Sequence, residues 1–452
     1  MKRILLTLAL ASLTLASSAQ KRKTPKRKAG AQVSAVTVAR VINALAADDM
    51  QGRGTGQPGG LKAAQFLAAE FQRIGLQPLP GATGFEQVFS VYDSPVTAVS
   101  ASLNGTAMPA SQVLLFSSQP VVEWTNQTPA VEVLTIGPDE KPMQFAGRIM
   151  RPTQNLLVLL DPAHAEVFKR LQSVNRQPRF RTAEAGNAYS SVVLMAPAGA
   201  TPQAKPAKFE VKGKTEQRVV ELRNVVGMLP GSDPARAQEN VVFSGHYDHL
   251  GIIKPNVAGD SIANGADDDA SGTTAVVALA EYFKQVKNNA RPLIFTAFAA
   301  EEVGGFGARH FSQQLDPNQV VAMFNIEMIG KEAKFGPNTA FITGFEKSDF
   351  GPLLQANLQG SKFRFEPDPY LEQNLFYRSD NATLAKLGVP AHTISSDQIP
   401  DDKLYHTVDD EVESLNLVNM TAIIQAIAES ARGIVAGQQT PSRIAPEPAN
   451  GK

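Results

Sequence analysis

The feature that most constrains this chain is an alternation that starts near Val219 and runs almost to the C-terminus. Short apolar runs at 224–228, 240–244, 292–298, 320–326, 339–343 and 391–394 read as strands. Stretches of helical periodicity at 272–287, 304–314, 350–359, 381–387 and 417–435 read as helices. The pattern predicts an α/β domain built on a mainly parallel mixed sheet flanked by helices. In such sheets ligands gather beyond the carboxyl ends of the strands.

Upstream the texture differs. A helix is expected at 33–46, with Val38, Val41, Ile42 and Leu45 as its apolar stripe, and a second at 61–74. The Gly-rich loop between them holds a GxGxxG at 54–59, but no buried strand precedes it, so it reads as an exposed turn and not as a dinucleotide site. From 91 to 218 short β-like runs (99–103, 112–116, 131–136, 155–160, 191–195) surround one helix near 163–171, which predicts an inserted, mostly β domain with its own core. Pro202 and Pro206 mark 198–207 as the return linker. The expected organisation is a signal peptide at 1–19, a basic disordered tail at 20–32, a catalytic domain split into 33–90 and 219–436, the insertion at 91–218, and a disordered tail at 437–452.

The signal-peptide expectation rests on Lys2 and Arg3 before an apolar run at 4–16, followed by the small residues Ser17, Ser18 and Ala19. That run is short for a bilayer span, so a secreted or periplasmic protein without stable membrane insertion after cleavage is expected. Lys plus Arg and Asp plus Glu number 43 each, a neutral balance that argues against a nucleic-acid partner. Cysteine is absent, so any metal site must be assembled from His, Asp and Glu.

Those residue types sit where the expected strands end. The first such segment is Gly245-His246-Tyr247-Asp248-His249, where a histidine two residues before an aspartate suits a metal ligand oriented by a carboxylate. Next come Asp267, Asp268 and Asp269, bracketed by small residues at the start of a helix; buried charge at this density calls for a cation. The adjacent Glu301 and Glu302 can divide metal binding and proton transfer between them. Glu327 ends the strand at 320–326, and His406 lies in a polar loop beside Tyr405.

Taken in this order, the five segments resemble the co-catalytic zinc peptidase family of bacterial leucyl aminopeptidase, aminopeptidase Y and glutamate carboxypeptidase. The resemblance covers about 33–90 and 219–435. It implies two zinc ions, with cobalt or manganese able to replace them in vitro. His246 and Glu327 would bind one ion, Glu302 and His406 the other, and Asp268 would bridge both. Asp248 and Asp269 would support these ligands from behind, and a cis peptide is implied between Asp268 and Asp269. Glu301 would be the general base, and Tyr405 would steady the oxyanion. The family usually has Asp at the position of Glu327, so the longer side chain shifts that carboxylate.

The implied function is an exported aminopeptidase acting on peptides. Carboxypeptidase or glutaminyl cyclase chemistry on the same scaffold, or a non-catalytic binding module, are the alternatives. Oligomeric state and substrate preference are not legible. The insertion matches a protease-associated-type domain by position more than by motif. His164, His249, His310 and His392 read as structural or exposed. The pair Ser379-Asp380 reads either as a helix cap or as pocket-facing.

Overall fold

The computed structural model describes residues 31–183, 186–196 and 208–445. The signal segment, nearly all of the basic tail, the return linker and 446–452 lie outside the described residues. Among the described residues no helix is long and apolar enough to cross a membrane.

Eight strands form the central sheet: β1 (Glu86–Asp93), β2 (Arg218–Leu229), β3 (Asn240–His246), β4 (Leu293–Phe298), β5 (Val320–Ile326), β6 (Thr339–Ile342), β7 (Arg364–Pro367) and β8 (Ala391–Ser395). Their spatial order is β1-β2-β4-β3-β5-β8-β6-β7. The four central strands β4, β3, β5 and β8 are parallel, while β2 and β6 join them antiparallel. Strand β2 is longer than its apolar run suggests because its first half pairs with β1, from Asp93 opposite Arg218 to Glu86 opposite Val225.

Because side chains alternate across a strand, each central strand serves two cores. On β3, Val241 and Phe243 face one side, covered by α1 (Ala35–Leu45), α2 (Pro58–Ile74), α3 (Gly272–Val286), α5 (Phe350–Asn357) and α7 (Leu417–Ser430). Val242 faces the other side, against α4 (Phe306–Gln313) and α6 (Asn381–Ala385). Phe243, Phe295 and Phe324 lie in register on three adjacent strands, with ring centroids 5.4 and 4.8 Å apart. Truncating any one of these phenylalanines to Ala removes about 3–5 kcal/mol.

The insertion consists of two four-stranded sheets packed face to face. Val96–Leu103, Thr106–Ala107, Val121–Thr125 and Phe209–Thr215 form one, and Val113–Phe116, Val131–Ile136, Asn155–Leu160 and Ser191–Met195 the other. Trp124 is buried between them with Leu115, Leu157, Val192 and Val211. The helix Ala165–Arg176 covers the outer face of the second sheet through Phe168 and Leu171.

Two expectations are corrected. The Gly-rich loop is not wholly an exposed turn: Gly52, Arg53 and Gly54 are buried, and Arg53 has no exposed surface. Residues 437–445 are not a free tail either, because Ile444 is buried and its amide bonds the Gly388 carbonyl at 3.0 Å. Arg291, itself buried, holds the Gln439 carbonyl at 2.5 Å, so a side chain from within the domain fastens this segment.

His392 gives the fold a pH dependence. It lies buried against Phe350, with Nδ1 2.9 Å from the Thr343 carbonyl and Nε2 2.7 Å from Ser348 Oγ. The neutral ring satisfies both contacts, donating at Nδ1 and accepting at Nε2. Burial therefore pushes its pKa down from 6.5 to about 4. Between those values the unfolded chain binds the proton and the folded one does not, so stability is lost as pH falls from 6.5 toward 4. At about 1.4 kcal/mol per pH unit the contribution at neutral pH is roughly 3 kcal/mol. A His392→Gln variant is expected to flatten the dependence of the denaturation midpoint between pH 4 and 7; an unchanged slope would refute this role.

Candidate metal centre

The carboxyl ends of the parallel strands converge on one cavity of about 590 Å³, counting its open mouth. His246 is the last residue of β3, Glu301 and Glu302 follow β4 by a short turn, and Glu327 follows β5 directly. Asp268 enters from the turn before α3, and His406 from the loop after β8.

Two ligand groups result, sharing Asp268. His246, Asp268 and Glu327 form one, with His246 Nε2 3.3 Å from Asp268 Oδ1. In the other, His406 Nε2 is 3.1 Å from Asp268 Oδ2 and 3.2 Å from Glu302 Oε2. Ligands bound at 2.0–2.1 Å to a tetrahedral zinc stand about 3.3 Å apart, so these edges fit such an ion. Nε2 of His246, of His249 and of His406 and Oε2 of Glu327 are buried with no hydrogen-bond partner, as metal-directed atoms would be. The site also has a strong negative potential. Burial opposes charge on the His406 ring, yet Asp268 and Glu302 pull its pKa up to about 10. The donor set thus fits divalent cations held by imidazole and carboxylate. Glu327 reaches its group despite the extra methylene.

The backbone around the site is tightly fixed. The Asp268-Asp269 peptide is cis. Asp269 accepts from Gly272 N at 2.9 Å, Met328 N at 3.1 Å and His246 N at 3.1 Å, tying α3, β5 and β3 together. A Cβ at Gly272 would overlap the Ile326 carbonyl, so the close approach of helix to strand requires glycine there. Ala300, Met328 and His406 adopt left-handed φ values of 63°, 52° and 58°, and each is, or adjoins, a site residue. A side chain in that region costs about 1 kcal/mol, which the surrounding contacts must offset.

Asp248 acts differently from expectation. Its carboxylate stands 3.9 Å from His246 Nδ1, and the nearer partner of that nitrogen is the Asp248 backbone carbonyl at 3.1 Å. The carboxylate instead accepts from Thr55 Oγ1 at 2.7 Å and from Glu301 N at 3.0 Å, fixing the peptide that carries Glu301. Glu301 lines the cavity but joins neither ligand group, and burial pushes its carboxyl well above the ordinary range. Tyr405 also lines the cavity, its ring 3.9 Å from that of His406, and burial raises its phenol so that it keeps its proton.

Sequence reasoning overlooked His249. It is buried, with Nδ1 2.7 Å from Glu302 Oε1 and 3.8 Å from Asp268 Oδ2, and with those two carboxylates it forms a candidate ligand group that His406 adjoins. The signal was present in its position three residues after His246. The other unassigned histidines stay away from the site: His164 contacts the Gly137 carbonyl and His310 stacks on Phe89. Asp380 forms no side-chain cap on α6, and of the pair Ser379 lines the cavity.

An α/β sheet with a double carboxylate-histidine site at its carboxyl edge is an arrangement suited to metal-assisted hydrolysis. Comparison with known proteins narrows it. Residues 224–431 match peptidase family M28. A probable zinc metalloprotease of Pyrenophora teres f. teres is 40% identical over 114 residues, 25% of this chain and 23% of that protein. Leucine aminopeptidase 1 of Emericella nidulans is 29% identical over 211 residues, 44% of this chain and 51% of that protein. The matched stretch thus spans between about a quarter and a half of these relatives. The aminopeptidase from Aneurinibacillus sp. strain AM-1 superposes with a TM-score of 0.55 at 17% identity, over 93% of this chain and 97% of that one. The zinc aminopeptidase of Bacillus subtilis gives 0.55 at 14% identity, over 90% and 97%. The fold is that of these zinc aminopeptidases, and the family match covers 224–431, the stretch that holds the five motifs.

Proposed function

We propose that this protein is an exported, two-zinc aminopeptidase that removes N-terminal residues from peptides. The observation that carries the proposal is the pair of ligand groups sharing Asp268, with Glu301 beside them but bound to neither. Zinc bound there would polarise the scissile carbonyl and acidify a water molecule. Glu301, anchored through its amide by Asp248, takes the proton of the attacking water and delivers it to the departing amine. The Tyr405 hydroxyl, kept protonated, donates to the oxygen on which negative charge develops. Export rests on the composition of 1–19 alone.

The test is release of chromophore from free and N-blocked aminoacyl anilides before and after chelation. Hydrolysis of free-amine substrates only, abolished by chelation and restored by zinc, is expected. Turnover confined to C-terminal or glutaminyl substrates would overturn the aminopeptidase reading.

His249 would orient Glu302 on the second ion by its 2.7 Å contact. Loss of such a supporting contact commonly weakens metal affinity about 10–100-fold. A His249→Gln variant dialysed against graded chelator is therefore expected to lose one equivalent of zinc well before the wild type, while keeping the other. Identical release curves would exclude this role.

A further inference from the structure

The wall of the cavity away from the ligands is made by Met328, Phe341, Leu375 and Ile399, as suits a substrate side chain. It also contains a group foreign to an apolar pocket. Asp397, just beyond the end of β8, lines the same cavity with 3% of its surface exposed, and neither of its carboxyl oxygens accepts from an N–H or a hydroxyl; its polar neighbour is another carboxyl, that of Asp402. A buried carboxylate without a partner is costly, and the cost falls when a cation arrives.

Among the described residues no cation pairs directly with Asp397. Asp397 lies in a cluster with Asp267 and Asp402. The one ammonium there, Lys331 Nζ, is taken by Asp402 at 2.5 Å and Asp267 at 3.4 Å. Three carboxyl groups thus share one lysine. Burial and the neighbouring Asp267 and Asp402 push the Asp397 carboxyl up to about 8 against a weaker pull from Lys331, so that a cation arriving in the pocket favours its ionised form. Arg378 also lines the cavity, but it is exposed and bonds the Gln373 carbonyl at 3.3 Å.

We propose that Asp397 is a specificity residue that receives the cationic end of an N-terminal lysine or arginine, the methylene stem lying along Met328, Phe341, Leu375 and Ile399. Long basic side chains pack their stems on apolar surface and carry the charge at the tip, which matches a pocket with apolar walls and a carboxylate. The inference rests on the aminopeptidase reading above and adds its substrate class. It sets this chain apart from an enzyme selective for leucine, for which a buried carboxylate in the pocket would be a penalty.

The experiment compares lysyl, arginyl, leucyl, methionyl and glutamyl 4-nitroanilides with the zinc-loaded full chain. Lysyl and arginyl substrates are expected to exceed leucyl by at least about tenfold in kcat/KM. Removing one partner of a buried charge pair weakens an interaction about 30-fold or more, so Asp397→Asn should lower the lysyl-to-leucyl ratio by that factor. A preference for leucyl or glutamyl substrates, or a ratio unmoved by Asp397→Asn, overturns the proposal. Should that variant not fold, competitive inhibition of the wild type by lysine amide against leucine amide decides the same point. No turnover of any anilide removes the aminopeptidase reading and this inference with it. Leucyl turnover without lysyl turnover removes this inference alone.

Discussion

Glu301→Gln is expected to lower kcat by about 10²–10⁴-fold while leaving the zinc content unchanged, because in the proposed mechanism Glu301 carries the proton and binds no metal. The geometry makes this separable from its neighbour. Glu302 lies in the second ligand group, 3.2 Å from His406 Nε2, whereas Glu301 belongs to neither group. Gln keeps the size of the side chain and the amide bond to Asp248, and removes only the basic oxygen. Glu302→Gln should instead release one ion. Measuring kcat and metal content together on both variants distinguishes the roles. A Glu301→Gln enzyme that keeps more than about a tenth of its rate would show that another group takes the proton, since a positioned base is worth at least about 10²-fold.

The second large effect concerns stability. Arg53 has no exposed surface and spends its guanidinium donors on backbone carbonyls: Tyr247 at 2.6 Å, Leu45 at 2.8 Å, Asn264 at 2.5 Å and Gly265 at 2.8 Å, with Asp268 at 3.5 Å. Burial lowers its pKa, while Asp410, Asp268, Asp248 and Asp269 favour the charged form. Arg53 is thus both clasp and counter-ion beneath the metal-binding loops. Arg53→Met would leave those carbonyls unpaired and the carboxylates less compensated, a kind of change that costs about 3–5 kcal/mol. Arg53→Lys should recover little, since three donors on a point charge cannot span the same fork. Urea denaturation of the three proteins measures this. A loss below about 1 kcal/mol for Arg53→Met would mean that water replaces the guanidinium.

Arg53 also shows where single-sequence reading stops. His246, Glu301, Glu302 and Glu327 stood out because an ionisable residue after a strand end is a local pattern, whereas Asp268, at a helix start, and His406, in a loop, were assigned only through the resemblance. The partners of Arg53 are carbonyls, which leave no mark on residue type, and Tyr247 and Asn264 lie about two hundred residues away. Asp410 escaped notice for the same reason: it accepts from the backbone amides of Asp267 and Asp268, each at 3.1 Å. Phe209–Thr215 was a different kind of omission. Its alternation of buried Phe209, Val211 and Thr215 with exposed Lys212 and Lys214 was there to read, but the eye follows apolar weight, and this strand has little. For Asp397 the residue was visible and its setting was not, since only the folded chain sets it beside Phe341 and Asp402.

The pairing of β1 with β2 has a consequence for how such a protein could be trimmed. The chain leaves the sheet after Asp93 and returns at Arg218, two residues that face each other across the ladder. In topological terms the two-sheet unit occupies the place of a hairpin turn, at the margin of the sheet and outside every loop that carries a ligand. A tight turn of two residues could close the same ladder. The unit is therefore a topological accessory, fastened to the catalytic domain by Phe180, whose ring meets Phe306 edge-on at 6.3 Å. An engineer could remove it by linking 93 to 218 through a two-residue turn and replacing Phe306, whose ring Phe180 covers.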